Sequence, residues 1–97
     1  MLTKEDFLVA PWPVTNNGKR DVSTCSSGDW AEKIYEETDE AVTACAEESP
    51  LRAAEEIVDI MTVCVSWLHA RGFNNGDICD MIRFVNLKNR ERGYCKK

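Results

Sequence analysis

Residues 29–71 read DWAEKIYEETDEAVTACAEESPLRAAEEIVDIMTVCVSWLHAR, and the fold turns on how this stretch divides. Trp30, Ile34, Ala41 and Cys45 recur at helical spacing, so the pattern predicts one helix from Asp29 or Trp30 to about Glu48. Ser49-Pro50 interrupts it with a turn, and a second helix is predicted from about Leu51 to Arg71, where Gly72 supplies the stop. A connection so short makes the pair an antiparallel hairpin.

On a wheel of about 100° per residue, the second helix is apolar over more than half its circumference, through Val63, Trp67, Ile60, Cys64, Ile57, Leu68, Met61, Val65 and Val58. A helix apolar over so wide an arc must be covered from more than one side. Beyond Asn74-Asn75-Gly76, Asp77 is expected to cap a third helix with the stripe Ile78, Met81, Ile82 and Val85, ending near Gly93 in a Schellman position. Upstream, residues 3–9 can form a short helix with Thr3 as cap, ended by Pro11 and Pro13. The expectation is an all-α chain: a hairpin, a third helix and a short N-terminal helix, in a four-helix-type core completed by oligomerisation. Residues 1–97 make one domain, with 1–28 as helix and loop and 29–94 as the helical core.

The loop before Asp29 is long for so small a domain, and such loops are either functional or solvated connectors. Trp12, Asn16, Asn17, Lys19 and Arg20 make a set able to grip a base and phosphates, but a solvated connector accounts for them equally well.

Seventeen acidic residues against twelve basic ones give a net charge of −5, which argues against a general nucleic-acid or anionic-membrane binder, since both need a cationic footprint. The run Ile57–Leu68 is broken by Asp59, Thr62 and Ser66 and is too short to span a bilayer. Five cysteines, at 25, 45, 64, 79 and 95, form no C-x-x-C pair, and no cleavable apolar leader follows Met1. A reducing compartment, the cytosol, is expected, with three or four of the thiols acting as small buried apolar groups. Zinc is disfavoured, because the cysteine spacing is wrong and His69 is the single histidine.

Two acidic pairs stand at i and i+3, Glu37 with Glu40 and Glu56 with Asp59. In an acidic chain such pairs arise by chance, and their wheel positions decide the matter. Glu37 falls between Ile34 and Ala41 on the apolar side of its helix, whereas Glu36 and Asp39 point outward. Glu56 lies between Val63 and Trp67 inside the apolar arc, and Asp59 borders that arc. A carboxylate unpaired in such surroundings is costly. No lysine or arginine is expected on those faces to pair with them. Antiparallel packing can bring both pairs to one divalent cation, and Mg²⁺ suits hard oxygen ligands that it shares with substrate phosphates, with Mn²⁺ as a substitute. Di-iron bundles need Glu-x-x-His pairs, which His69 does not complete.

These motifs resemble those of the MazG-like all-α nucleoside triphosphate pyrophosphohydrolase superfamily, which includes MazG and the dimeric dUTPases. Its signature is E-E-x-x-E followed by E-x-x-D; here Glu36-Glu37-Thr38-Asp39-Glu40 and Glu56-Ile57-Val58-Asp59 stand fifteen residues apart. The segment 86–94, NLKNRERGY, is similar to the K-N-x-x-R ending of MazG-like proteins, where basic and polar residues approach the triphosphate. The resemblance spans about residues 29–94 and leaves the preceding loop unaligned. It implies cleavage of the α–β phosphoanhydride of an NTP or dNTP to NMP and pyrophosphate, in a homodimer or dimer of dimers.

On that reading Glu37, Glu40, Glu56 and Asp59 hold one or two Mg²⁺ ions and Glu36 is an outer-sphere base. Lys88, Asn89 and Arg92 face the phosphates, with Trp12, Lys19 and Arg20 as further substrate contacts. A favourable interaction with the dipole at the helix C-terminus explains Lys88, Arg90 and Arg92 equally well. Trp30 and Trp67 belong to the core, and Trp12 and Tyr94 are better placed for base stacking. The rival reading is a non-catalytic MazG-like helical module for dimerisation or nucleotide binding.

Overall fold

The computed structural model describes residues 11–15, 22–47 and 49–95. The expected helix over residues 3–9 lies outside them. Three α-helices follow a 3-10 turn at Val22–Thr24: α1 (Ser27–Ala46), α2 (Pro50–Ala70) and α3 (Asn75–Glu91), with no strand among the described residues.

Helix α1 begins two residues before the expected Asp29, because a capping box sets its start. Ser26 Oγ accepts from the Asp29 N–H at 3.1 Å, and Asp29 Oδ2 accepts from the Ser26 N–H at 2.9 Å. Pro50 occupies the first turn of α2, where its missing N–H costs nothing. The expected Asp77 cap of α3 is corrected to Asn74, with Asp77 three residues on as its reciprocal partner, which moves the start upstream. The C-termini of α2 and α3 close as Schellman motifs through glycines of positive φ, Gly72 at 96° and Gly93 at 76°. Phe73 N–H bonds to the Leu68 carbonyl and Tyr94 N–H to that of Asn89, so the chain leaves each helix in a fixed direction.

α1 and α2 pack as the expected hairpin, whereas α3 meets α2 only lightly. Buried alanines at 41 and 44 of α1 and 53 of α2 allow close approach along the seam, and Val22, Trp30 and Val63 form the apolar cluster near the open end. Cys25, Ile34, Trp67 and Ala70 pack around that cluster, so Trp30 and Trp67 are core residues as expected.

Several expected core positions are not buried within the chain. Ile82 and Val85 of the α3 stripe are exposed and Ile78 alone of the four is buried; on α1 it is Ala44, not Cys45, that is buried. No cysteine is buried: Cys25 and Cys79 are partly covered, and Cys45, Cys64 and Cys95 are exposed free thiols. For the α2 and α3 positions the cause is shared. One hairpin covers only one side of α2, and the light docking of α3 leaves the opposite arc, with Leu51, Ile57, Val58 and Met61, facing outward.

One irregular segment is tied firmly to the hairpin. Ser66, 2 % exposed, accepts the Val14 N–H at 2.8 Å and donates to the Thr62 carbonyl at 2.6 Å, and Val22 N–H returns to the Thr15 carbonyl. Residues 11–15 are thereby strapped across α2.

Candidate functional site

The hairpin brings one carboxylate of α1 to two of α2. Ligand oxygens of Glu37, Glu56 and Asp59 lie within 4.8 Å of one another. The helical period explains the convergence: Glu37 shares the inward face of α1 with Trp30, Ile34 and Ala41, and Glu56 shares that of α2 with Ala53 and Val63. Glu37 is 8 % exposed, Glu56 is half-buried and Asp59 lies at the open rim.

Lys33 partly compensates this charge. Its Nζ lies 3.2 Å from Glu37 Oε1 and 3.6 Å from Glu36 Oε2, which corrects the expectation that no basic side chain reaches these faces. One turn of helix separates Lys33 from Glu37, and the flexible lysine stem carries its ammonium across from the neighbouring stripe. The hydrogen bond to Glu37 raises the Lys33 ammonium above its ordinary pKa; partial burial opposes the rise, and the charges of Glu37 and Glu36 add to it.

Even so, Glu37 Oε2 and Glu56 Oε2 are buried with no hydrogen-bond partner. Buried carboxylate oxygens are ordinarily paired, and leaving them bare costs free energy. Three converging carboxylates, two of them with a buried oxygen left unpaired, form a donor set that fits a hard divalent cation.

The remaining predicted residues are placed less centrally. Glu40 is exposed and outside the trio, and Glu36 is exposed beside Lys33. On α3, Lys88 sits 5.9 Å from the Phe84 ring centroid, Asn89 is half-buried and Arg92 is the exposed C-cap. No ion pair among the described residues joins Lys88 or Arg92 to the trio. Trp12 and Tyr94 are exposed, and Lys19 and Arg20 lie outside the described residues. His69 is occupied by a 2.8 Å hydrogen bond with Asn75 Oδ1.

A pocket of about 590 Å³ adjoins the trio through Lys33 and Glu36. Trp30, Val63 and Ser66 wall it on the hairpin, Val14 closes it from the strap, and Val22 and Cys25 close it from the segment that enters α1. Sequence reasoning missed Lys33, Ser66 and this pocket. The i, i+4 spacing of Lys33 and Glu37 was a usable signal, but nothing local marks Ser66 as an anchor.

A hairpin with E-E-x-x-E on one arm and E-x-x-D on the other, its acids converging at the seam, is the arrangement of a MazG-like all-α nucleotide pyrophosphohydrolase. Residues 16–86 match the family model described as phosphoribosyl-ATP pyrophosphohydrolase, and the chain belongs to that family. The match supports nucleotide pyrophosphohydrolase chemistry in general. No curated protein and no solved structure matches the chain. No helix among the described residues is long and apolar enough to cross a membrane.

Proposed function

We propose that this chain is a Mg²⁺-dependent nucleoside triphosphate pyrophosphohydrolase that cleaves the α–β phosphoanhydride of an NTP or dNTP to give NMP and pyrophosphate. The observation that carries the reading is that Glu37 and Glu56, each with a buried oxygen left without a partner, bring carboxylate oxygens within 4.8 Å of each other and of Asp59. These three residues would hold the ion, with Glu40 at the exposed edge serving a second one. Bound there, Mg²⁺ or Mn²⁺ would supply phosphate charge neutralisation and a lowered pKa for the attacking water.

The chain's own groups do the rest. Glu36, exposed beside Glu37, takes the proton of the water as it attacks. Lys33, already held between Glu36 and Glu37, sits where it can offset phosphate charge once the cation shares Glu37. Lys88, Asn89 and Arg92 steer and bind the polyphosphate, with Lys19, Arg20 and Trp12 contributing from the N-terminal segment.

A homodimer, or a dimer of such dimers, fits the uncovered face of α2, where Ile57 and Met61 remain 50 % and 51 % exposed. A cytosolic setting accords with the five free thiols, and the single-domain reading of residues 1–97 belongs to the same proposal.

The experiment is pyrophosphate release from a panel of nucleoside triphosphates, with Mg²⁺ and with chelator, for the wild type and Glu56→Gln. Metal-dependent release that the variant loses is expected. Silence across the panel from folded protein replaces the enzyme with a non-catalytic nucleotide-binding module.

A further inference from the structure

Tyr35 and Val42 of α1 are 72 % and 63 % exposed, and the buried seam with α2 does not use them. They belong to a stripe, Ala31, Tyr35, Thr38, Val42 and Cys45, whose members stand alternately four and three residues apart. Thr38 Oγ1 donates to the Ile34 carbonyl at 2.8 Å, so its polar group is satisfied within the helix. A second stripe of the same period runs along α2 through Ala54, Ile57, Met61, Cys64 and Leu68, exposed at all but the last, which is half-buried. This is the spacing by which helices interlock along a seam with a further helix.

The two stripes lie on the same side of the hairpin. Each helix has two flanks beside its inward face, and Lys33 and Glu36 from one flank of α1 line a single pocket with Ser66 from one flank of α2. Those flanks therefore share a side, the one on which the trio opens. On a helical wheel of about 100° per residue, Tyr35 and Val42 fall on the other flank of α1, and Ile57, Met61 and Cys64 on the other flank of α2. The opposite side of the hairpin is thus a continuous two-helix surface whose stripes contain no charged residue.

Resting on the homodimer reading, we propose that this surface, built equally from α1 and α2 and turned away from the trio, seats the same surface of a second copy, hairpin against hairpin across a two-fold axis. Two antiparallel helices are complemented by two more, as in a four-helix bundle. Helices of 20 and 21 residues are about 30 Å long, and a pair with axes about 9 Å apart presents a strip about 20 Å wide. That is about 600 Å² in projection and more as corrugated accessible surface, which suits the roughly 800 Å² per partner of a stable interface. The single chain also lacks a finished core, since no large side chain among the described residues is fully buried. Two copies of a chain of net charge −5 can meet along uncharged stripes without apposing carboxylates, and the trio and pocket of each stay open to substrate.

The test is sedimentation equilibrium of the full chain, wild type beside Val42→Glu and Phe84→Glu, with circular dichroism to follow helix content. The wild type is expected to sediment at twice its 11.0 kDa. Val42→Glu places a carboxylate from each copy in the interface and should weaken the dimer about a hundredfold or more. Phe84 is 66 % exposed on α3 and belongs to neither stripe, so Phe84→Glu should sediment as the wild type does. Maleimide labelling of the wild type, read by peptide mass, gives a second measurement: Cys64 should react about tenfold or more slowly than Cys95, although both thiols are exposed in the single chain. Should Val42→Glu lose its helix content, the labelling decides. A wild-type dimer in which Val42→Glu associates undiminished, Phe84→Glu dissociates, or Cys64 labels as fast as Cys95 overturns this surface and leaves the homodimer standing. A monomeric wild type overturns both.

Discussion

Replacing Glu56 with glutamine should make the metal-free protein more stable while making it indifferent to Mg²⁺. With oxygens within 4.8 Å, each carboxylate pair repels by about 3.5 kcal/mol at an effective dielectric of about 20, and by about 0.9 kcal/mol in water. Glu56 takes part in two such repulsions, with Glu37 and Asp59. Asp59 is exposed and Lys33 offsets Glu37, so screening draws the net relief towards roughly 1–3 kcal/mol. Glutamine preserves the volume and removes the charge. For a domain of this size, each kcal/mol moves the melting temperature by about 4–8 °C. In the wild type, Mg²⁺ at a hundredfold excess over Kd adds about 2.7 kcal/mol, an increment the variant should lose. Thermal unfolding in chelator and across a Mg²⁺ titration measures both effects. A variant that melts at or below the wild type in chelator, and gains as much from Mg²⁺, refutes the reasoning. It would mean that the acids are a solvated face.

Three further perturbations test other parts of the structure. Ser66→Ala leaves the Val14 N–H without its acceptor and should cost about 1–2 kcal/mol in urea unfolding, with a raised KM because the strap walls the pocket; an unchanged midpoint and KM would show the strap to be incidental. Met61→Glu places a charge in the centre of the uncovered α2 face and should shift the sedimentation of a dimer to that of a monomer, whereas a mass identical to wild type would move the interface elsewhere. Lys33 pairing raises its folded pKa, so its contribution is fully present below the unfolded lysine value of about 10.4 and is lost as pH rises through the folded value. Urea midpoints should therefore separate wild type from Lys33→Met at pH 8 and converge at strongly alkaline pH, and a gap constant with pH would assign the difference to packing.

The hairpin was legible because its signals are local and redundant. Helical periodicity, Ser49-Pro50 and Gly72 all place the same turn and the same stop, and the structure moves each boundary by only one or two residues. The meeting of Glu37 with Glu56 and Asp59 was legible for a related reason, since two faces and one antiparallel turn determine it. The cap of α3 was misplaced because Asn74 and Asp77 are both good capping residues and form one reciprocal box. Burial of Ile82, Val85 and the cysteines was overestimated because periodicity identifies an apolar face without naming what covers it. The pocket was illegible. It depends on Ser66 catching Val14 from fifty-two residues away, a contact with no sequence pattern.

The arrangement of α1 suggests why one helix can serve two opposing electrostatic demands. Trp30, Ile34, Glu37 and Ala41 follow one stripe towards α2, and Asp29, Glu32, Lys33 and Glu36 follow the neighbouring stripe along the pocket. A cation site needs concentrated negative charge at a buried point, while a polyphosphate must approach that same point without being repelled. On the proposed reading Lys33 reconciles the two, because it is paired with Glu37 from the adjoining stripe and remains half-exposed. A rigid buried cation in its place would compete permanently for the trio. A long exposed stem leaves the ammonium free to exchange a carboxylate partner for a phosphate one, at the small cost of a surface ion pair. On this view the orphaned oxygens of Glu37 and Glu56 and the mobile charge of Lys33 are two halves of one device, and removing either should change metal affinity and polyphosphate affinity together.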